Sequence, residues 1–386
     1  MGYVLYSYFY AFLCTRDMKR NTGRLVSLDI FRGLTIAFMI IVNTPGSWSY
    51  VYPPLRHASW HGCTPTDLVF PFFLFIVGVS MWYSMKKYGQ EINKGSIFRI
   101  FRRVVTIFAL GLFLAIFPYF DRDYSTLRIM SVLQRIALAY GISALICLTI
   151  KHDYLWIVIA GILMLYWALL TFFGGADPYS LDGNLASKVD AAVLGTNHLY
   201  KGFGIPFDPE GLLSTLPAVC TVIIGYYTGK IIGKGSASNK TVLKLLLFGA
   251  ASAGLGLLWN MVFPINKPLW TSSYVLYTAG IAMAVLAIIY WLADVIKFQK
   301  WGLFFIVFGT NALFSYFMAG IWTRLMLLIK ISSGEVKMSM YTWFYEKVCV
   351  PVAGNLNGSL LFAIIQMLLI WFIALILYRK KVMIRL

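Results

Sequence analysis

With 386 residues, 60% of them hydrophobic and only 12% charged, the chain is far more apolar than a soluble domain, where about a quarter of residues carry charge. Apolar runs of about 20 residues recur from end to end, so the solvent is a bilayer and a string of soluble domains is excluded. The net charge of +18 is dispersed in short segments between those runs, which is a topology signal and excludes the clustered footprint of a nucleic-acid binder.

In chain order, residues 1–23 are apolar and aromatic at first, but too short to cross a bilayer and followed by no small-residue cleavage site. They read as an interfacial segment rather than a signal peptide. Residues 24–386 read as one transmembrane domain, an all-α bundle of about ten spans near 29–48, 66–84, 100–118, 129–150, 154–173, 211–232, 242–263, 273–293, 302–325 and 358–378. The stretch 338–352 is too broken by charge for a span and reads as an interfacial or re-entrant helix. Twenty-one lysines and arginines fall on one side of this arrangement and about ten on the other. The positive-inside rule then puts both termini in the cytoplasm. The outer face receives 49–65, the long segment 174–210, 264–272 and 326–357, and a connection as long as 174–210 is a candidate for binding.

Several polar residues stand where a bilayer penalises them. Asp29 and Arg32, three apart on the first span, share a helix face. They form either an ion pair at the cytoplasmic interface or a site at which Arg32 meets an anionic ligand. Asn43 lies eleven residues further on, about 16 Å along the axis, where its amide either joins helices or donates to a developing oxyanion. In the loop that follows, His57 and His61 are four apart, but zinc needs a third protein ligand and no HExxH glutamate is present, so no metal is expected. Asp67, at the start of the next span, is placed to orient His57 as a general base.

Arg135 is a further intramembrane charge. Asp208 and Glu210 stand at the mouth of the 211–232 span. Gly225, Gly229 and Gly233 form two overlapping GxxxG steps that mark close helix packing and offer a homodimer face. Trp60, Trp270, Asn266, Thr271, Ser272 and Asn311 add the aromatic and amide groups that sugar sites combine, although interfacial belts also enrich tryptophan. Of the cysteines, Cys14, Cys63, Cys147, Cys220 and Cys349, only Cys63 and Cys349 fall where an oxidising compartment could pair them. Neither inverted repeats nor paired broken helices, the marks of a secondary transporter, are evident.

The segments RLVSLDIFRGLTIAFMIIVN, HASWHGCTPTDLVFPFFLFIVGVS, LQRIALAY, FDPEGLLSTLP and KPLWTSSYVLYTAG, in this order, resemble the heparan-α-glucosaminide N-acetyltransferase family and its bacterial relatives, from about Arg24 to the carboxyl terminus. The resemblance implies an enzyme that moves acetyl from cytoplasmic acetyl-CoA to the amine of a terminal glucosamine on the far side of the membrane. It implies His57 and Asn43 as catalytic residues and, by length, a bacterial inner-membrane member. The more distant acyltransferase-3 enzymes carry Arg-x10-His on their first span. Here Arg32 is followed at that spacing by Asn43, which favours the glucosaminide branch. Location then suggests Arg32, Arg102, Arg103 and Arg135 as partners of the CoA phosphates, and Trp60, Asp67, Asp208, Glu210 and Trp270 as the sugar site. An amino-sugar transporter is the alternative reading.

Overall fold

The computed structural model describes residues 25–88, 92–121, 123–235, 237–333 and 336–384. The interfacial segment expected at residues 1–23, with Cys14, lies outside them.

The chain is an all-α polytopic membrane bundle. Its helices are α1 (Val26–Asn43), α2 (Val69–Tyr88), α3 (Lys94–Ile116), α4 (Val132–Thr149), α5 (Leu155–Phe173), α6 (Leu185–Leu194), α7 (Thr215–Lys234), α8 (Asn239–Trp259), α9 (Ser272–Tyr290), α10 (Leu303–Thr310), α11 (Ala312–Leu328), α12 (Met340–Phe344) and α13 (Val350–Arg379). The strands β1 (Lys330–Ser333) and β2 (Val336–Ser339) form an antiparallel hairpin in which Lys330 pairs with Ser339. Eight helices among the described residues are long and apolar enough to cross a membrane, nine if α10 and α11 count as one bent span. A helix occupies each of the ten expected spans. The third, α3, opens on Lys94, Arg99, Arg102 and Arg103 and is apolar only beyond them.

Buried and exposed faces divide the bundle into a centre and a rim. About two thirds of α1, α2 and α7 is buried, against 22% for α5 and α8. The rim helices turn Trp156, Leu165, Phe248 and Leu258 outward, as lipid contact requires. Central helices meet closely. A Cβ on Gly225 would come within 2.1 Å of the Phe75 carbonyl oxygen, and one on Gly229 or Gly233 would strike Trp82. The glycine steps of α7 are therefore occupied by α2 of the same chain. The face offered above to a second copy is an internal helix contact.

Two helix starts show how distant residues complete local structure. No side chain of its own caps α1. Instead the Asp294 carboxylate, just past α9, accepts the N–H groups of Val26 (3.3 Å) and Ser27 (3.0 Å), satisfying donors that every helix start leaves open. In α3, Asn93 and Ser96 cap each other's backbone N–H groups at 2.8 and 3.0 Å, a reciprocal capping box.

One span is broken. Between α10 and α11 the axis turns by 70° at Asn311. The Asn311 amide donates to the Val382 carbonyl (3.1 Å) and accepts the Ile384 N–H (2.8 Å). Asn311, grouped above with the outer-face sugar residues, instead ties the break to the carboxyl-terminal segment. The stretch 338–352 begins α12, capped by Ser339, and runs through a widened turn at Tyr345–Cys349 into α13, which kinks at Gly354 (φ 74°).

Candidate active site

A pocket opens at the end of the bundle where α1 finishes and α2, α4, α7 and α9 begin. It encloses about 670 Å³, counted to its open mouth, and is lined by Met39, Val42 and Asn43 of α1, Phe70 and Phe73 of α2, and Val132, Leu133 and Ile136 of α4. Its polar wall is His57, Thr66, Glu210, Lys267 and Tyr316. Asn43 and His57, singled out separately in the sequence, thus face one cavity, and Glu210 joins them. The mix of an apolar lining with a few convergent polar groups is the usual make-up of a small-molecule site.

The imidazole of His57 is held from below. Its Nδ1 lies 2.6 Å from Oδ1 of Asp67, while Oδ2 of Asp67 accepts the N–H groups of Ala58 and Thr64, each at 3.0 Å. Asp67 is 1% exposed and His57 44%. A carboxylate accepts, so Nδ1 donates to it, and in the neutral ring Nε2 is then the nitrogen with the lone pair. Asp67 therefore orients His57 and does not itself line the pocket. Lys267 closes the group, its Nζ 3.1 Å from Nδ1 and 3.5 Å from Nε2 of His57 and 3.4 Å from Asp67. Burial pulls the Lys267 ammonium below the ordinary lysine range, and the charges of Asp67 and Glu210 oppose that pull.

Across the pocket, Arg128 grips Asp208 through two hydrogen bonds, at 2.9 and 2.7 Å, and reaches Glu210 at 2.6 Å. Burial disfavours the Arg128 charge, yet its two carboxylate partners more than offset this and push its value up. Asp208 is wholly engaged in this pair and buried, so of the two acidic residues only Glu210 meets the cavity. Asp190 on α6 accepts the N–H groups of Leu212 (2.8 Å) and Leu213 (3.3 Å), which fixes the loop carrying Glu210.

The remaining expected residues lie elsewhere. Trp60 donates from Nε1 to the Tyr179 carbonyl (2.8 Å) and packs edge-on against Phe203 and Phe207. It anchors the 174–210 segment to the loop that bears His57. Trp270 is 1% exposed, with Phe70 and the Arg135 guanidinium over its ring. Neither tryptophan lines the pocket. Arg135 was expected at the cytoplasmic face, but it sits in the first turn of α4, fully buried, bonded to the Gly211 carbonyl (3.1 Å) and to Ser214. This is the His57 end, because α4 starts where the pocket opens.

Arg32 bonds Asp29 (3.2 Å), the Gly309 carbonyl (3.1 Å) and Ser80 (2.7 Å), so the expected ion pair is present and the guanidinium also bridges α1, α2 and α10. Arg103 lies over the Tyr140 ring at 4.5 Å, and Arg102 is exposed on α3. Cys63, Cys147, Cys220 and Cys349 are free thiols. Among the described residues, no three His, Cys, Asp or Glu side chains converge as a metal site.

A family model described as heparan-alpha-glucosaminide N-acetyltransferase, catalytic, matches residues 24–256. The chain belongs to this family. It is similar to the human and mouse proteins named heparan-alpha-glucosaminide N-acetyltransferase, each 28% identical. The human match runs over 333 residues, 70% of this chain and 49% of that protein; the mouse match runs over 336 residues, 72% and 50%. The chain thus spans about half the length of the curated relatives it matches. Asn43, His57, Asp67, Arg128 and Glu210 fall within the residues matched by the family model, whereas Lys267 and Tyr316 lie beyond them.

Lys267, Arg128 and Tyr316 were missed in the sequence. Lys267 stands in the quoted KPLW segment but read as one of the outer-loop charges. Arg128 occupies a short connection with no pattern of its own. Tyr316 lies five residues beyond Asn311 in the same apolar run, where the asparagine drew attention instead.

Proposed function

We propose that this chain is a membrane-embedded N-acetyltransferase that takes acetyl from acetyl-CoA supplied at the cytoplasmic side and places it on the amine of a glucosamine-type sugar at the outer face. The observation that carries this reading is the single pocket shared by Asn43 and by His57 with its Asp67 support. The orientation rests on charge: the helix ends remote from the pocket hold Lys86, Lys94, Arg99, Lys230, Lys234, Lys240 and Arg379, and such ends face the cytoplasm. In a bacterium, that membrane is the inner one.

In the reaction, Nε2 of His57 takes a proton from the acceptor amine as its nitrogen attacks the thioester carbonyl. The Asn43 amide donates to the oxyanion that forms. Collapse breaks the carbon–sulfur bond, and the leaving thiolate takes the proton back from His57. Amide and CoA thiol result, with no net change in the site. A route through an acetylated His57 uses the same residues. Glu210 is placed to accept hydrogen bonds from the sugar. Arg32, about 16 Å below Asn43 along α1, is the cation on the way from the cytoplasmic end, and Arg102 and Arg103 lie at that same end.

The break at Asn311 favours one second reading, since discontinuous helices line transporter paths. The two are separated by purified protein in nanodiscs given acetyl-CoA and glucosamine, with free CoA followed over time beside His57→Ala. Acceptor-dependent release that vanishes in the variant supports transfer. No release across a panel of amino sugars, with labelled sugar crossing proteoliposomes, overturns it in favour of transport.

A further inference from the structure

The loop of Lys267 is clamped to the loop of His57 at several points. Gly62 donates its N–H to the Ile265 carbonyl (2.7 Å), and the Asn266 side-chain amide donates to the Trp60 carbonyl (3.0 Å) and lies 3.3 Å from Nδ1 of His61, while within its own loop Oδ1 of Asn266 accepts the Leu269 N–H (2.7 Å). Asn266 is itself fully buried. A lysine on a free loop would keep its charge in water, but this one is held with Nζ 3.1 and 3.5 Å from the two ring nitrogens of His57.

The charges around that ring oppose one another. Asp67, from the start of α2, stabilises an imidazolium, and Lys267, from the 264–271 loop, destabilises it. Glu210, from the loop before α7, faces the same cavity but is already engaged by Arg128. Tyr316 of α11 is a neutral phenol, and burial pushes the Cys63 thiol up to about 12, so it adds no charge. A ring that holds a second proton has no lone pair with which to act as a base.

We propose that Lys267 is a positioning residue of this site, whose ammonium keeps the imidazole of His57 in its free-base form at neutral pH and so leaves Nε2 open to the proton of an incoming amine. Lys267 also lies 3.4 Å from Oδ1 of Asp67, the oxygen bound to Nδ1, and so offsets the carboxylate charge that favours a doubly protonated ring. The proposal rests on the transfer reaction above for its purpose, but its physical core is a property of two side chains and can be read without turnover.

The chain has four histidines, His57, His61, His152 and His198, so ¹³Cε1-histidine spectra of the full chain in nanodiscs resolve His57, assigned by its loss in His57→Gln. Lys267→Met keeps the length of the side chain and removes the charge. It is expected to raise the His57 titration midpoint by about one pH unit, the scale of one like charge at this distance in a partly solvated site. Lys267→Arg is expected to restore it. Where the wild type releases CoA with an amino sugar, the acidic limb of kcat/KM moves up with the midpoint. A midpoint unmoved in a Lys267→Met protein with the wild-type melting temperature overturns the proposal, as does a limb that stays put while the midpoint moves. A wild type that releases no CoA, with the midpoint still shifted by Lys267→Met, overturns the transfer reading and leaves the coupling of Lys267 to His57 standing.

Discussion

Oδ1 of Asp67 sits 2.6 Å from Nδ1 of His57 and Oδ2 holds the Ala58 and Thr64 N–H groups, so one carboxylate sets both the tautomer of the ring and the path of the loop that carries it. The loop and the short turn Pro65–Leu68 that leads into α2 are thus a single unit. His57 cannot swing away from the pocket without breaking bonds at the start of that helix.

Removing the ring and removing its support are expected to differ. His57→Ala lowers kcat by roughly 10²–10⁴-fold, the range for a lost general base, with little change in melting temperature because the side chain is half exposed. Asp67→Asn lowers kcat by a similar order but also lowers the melting temperature, since an amide cannot accept from the ring and from both backbone N–H groups in the same way. CoA-release kinetics and thermal unfolding of both variants in one detergent check this. Equal thermal effects would mean that Asp67 has no role in holding the loop.

Asn43→Ala is expected to reduce kcat by roughly 10²–10³-fold, as loss of one oxyanion donor does, while KM for the acceptor changes little. Asn43→Asp is expected to be at least as damaging, because it puts a negative charge where negative charge develops. A variant whose KM rises with kcat intact would assign Asn43 to substrate binding instead.

The spans were legible because a bilayer demands unbroken apolar length, and hydropathy registers length directly. It does not register direction, so the turn at Asn311 was invisible within a continuous apolar run. Asn43 and His57 stood out as polar groups in costly places. Lys267 did not, because a loop lysine costs nothing until tertiary structure buries it. Asp208 and Glu210 are neighbours in sequence with different tasks, one buried under Arg128 and one facing the cavity, and only the approach of Arg128 from eighty residues away distinguishes them. Arg135 was offered as a CoA partner from its location within a span, whereas the Gly211 carbonyl and Ser214 hold it at the His57 end of the bundle, partners that a reading along the chain does not bring near it.

Arg128→Ala leaves Asp208 and Glu210 side by side, with Asp208 fully buried. Removing one partner of a buried ion pair costs roughly 3–5 kcal/mol, and the partial exposure of Arg128 places this site at the lower end. The expected result is a marked loss of thermal stability at pH 7, partly recovered in Arg128→Ala with Asp208→Asn. Activity lost without any change in unfolding would show that Arg128 acts on substrate and not on the loop.

Gly225→Val is expected to prevent proper assembly of α7 against α2, since even a Cβ would come within 2.1 Å of the Phe75 carbonyl oxygen. The yield of monodisperse protein falls sharply in size-exclusion chromatography. If the protein were instead folded and merely shifted from dimer to monomer, the glycine stripe would be an intermolecular face and the contact with α2 would be wrong.

Burial lifts the Asp190 carboxyl to about 6, against the pull of the Leu212 and Leu213 N–H groups. A raised carboxylate value means that the folded state binds a proton the unfolded chain has already released. The sign is therefore the reverse of an ordinary salt-bridged aspartate: its contribution is fully present below about pH 4 and is lost as pH rises through 6. Two units correspond to about 3 kcal/mol. Asp190→Asn keeps a carbonyl oxygen for the two N–H groups and removes the charge, so its melting temperature relative to wild type is expected to improve from pH 4 to pH 7. Thermal unfolding at half-unit steps checks this. A difference between the two proteins that stays constant across that window would show that Asp190 remains ionised throughout, held by the Arg135 guanidinium nearby.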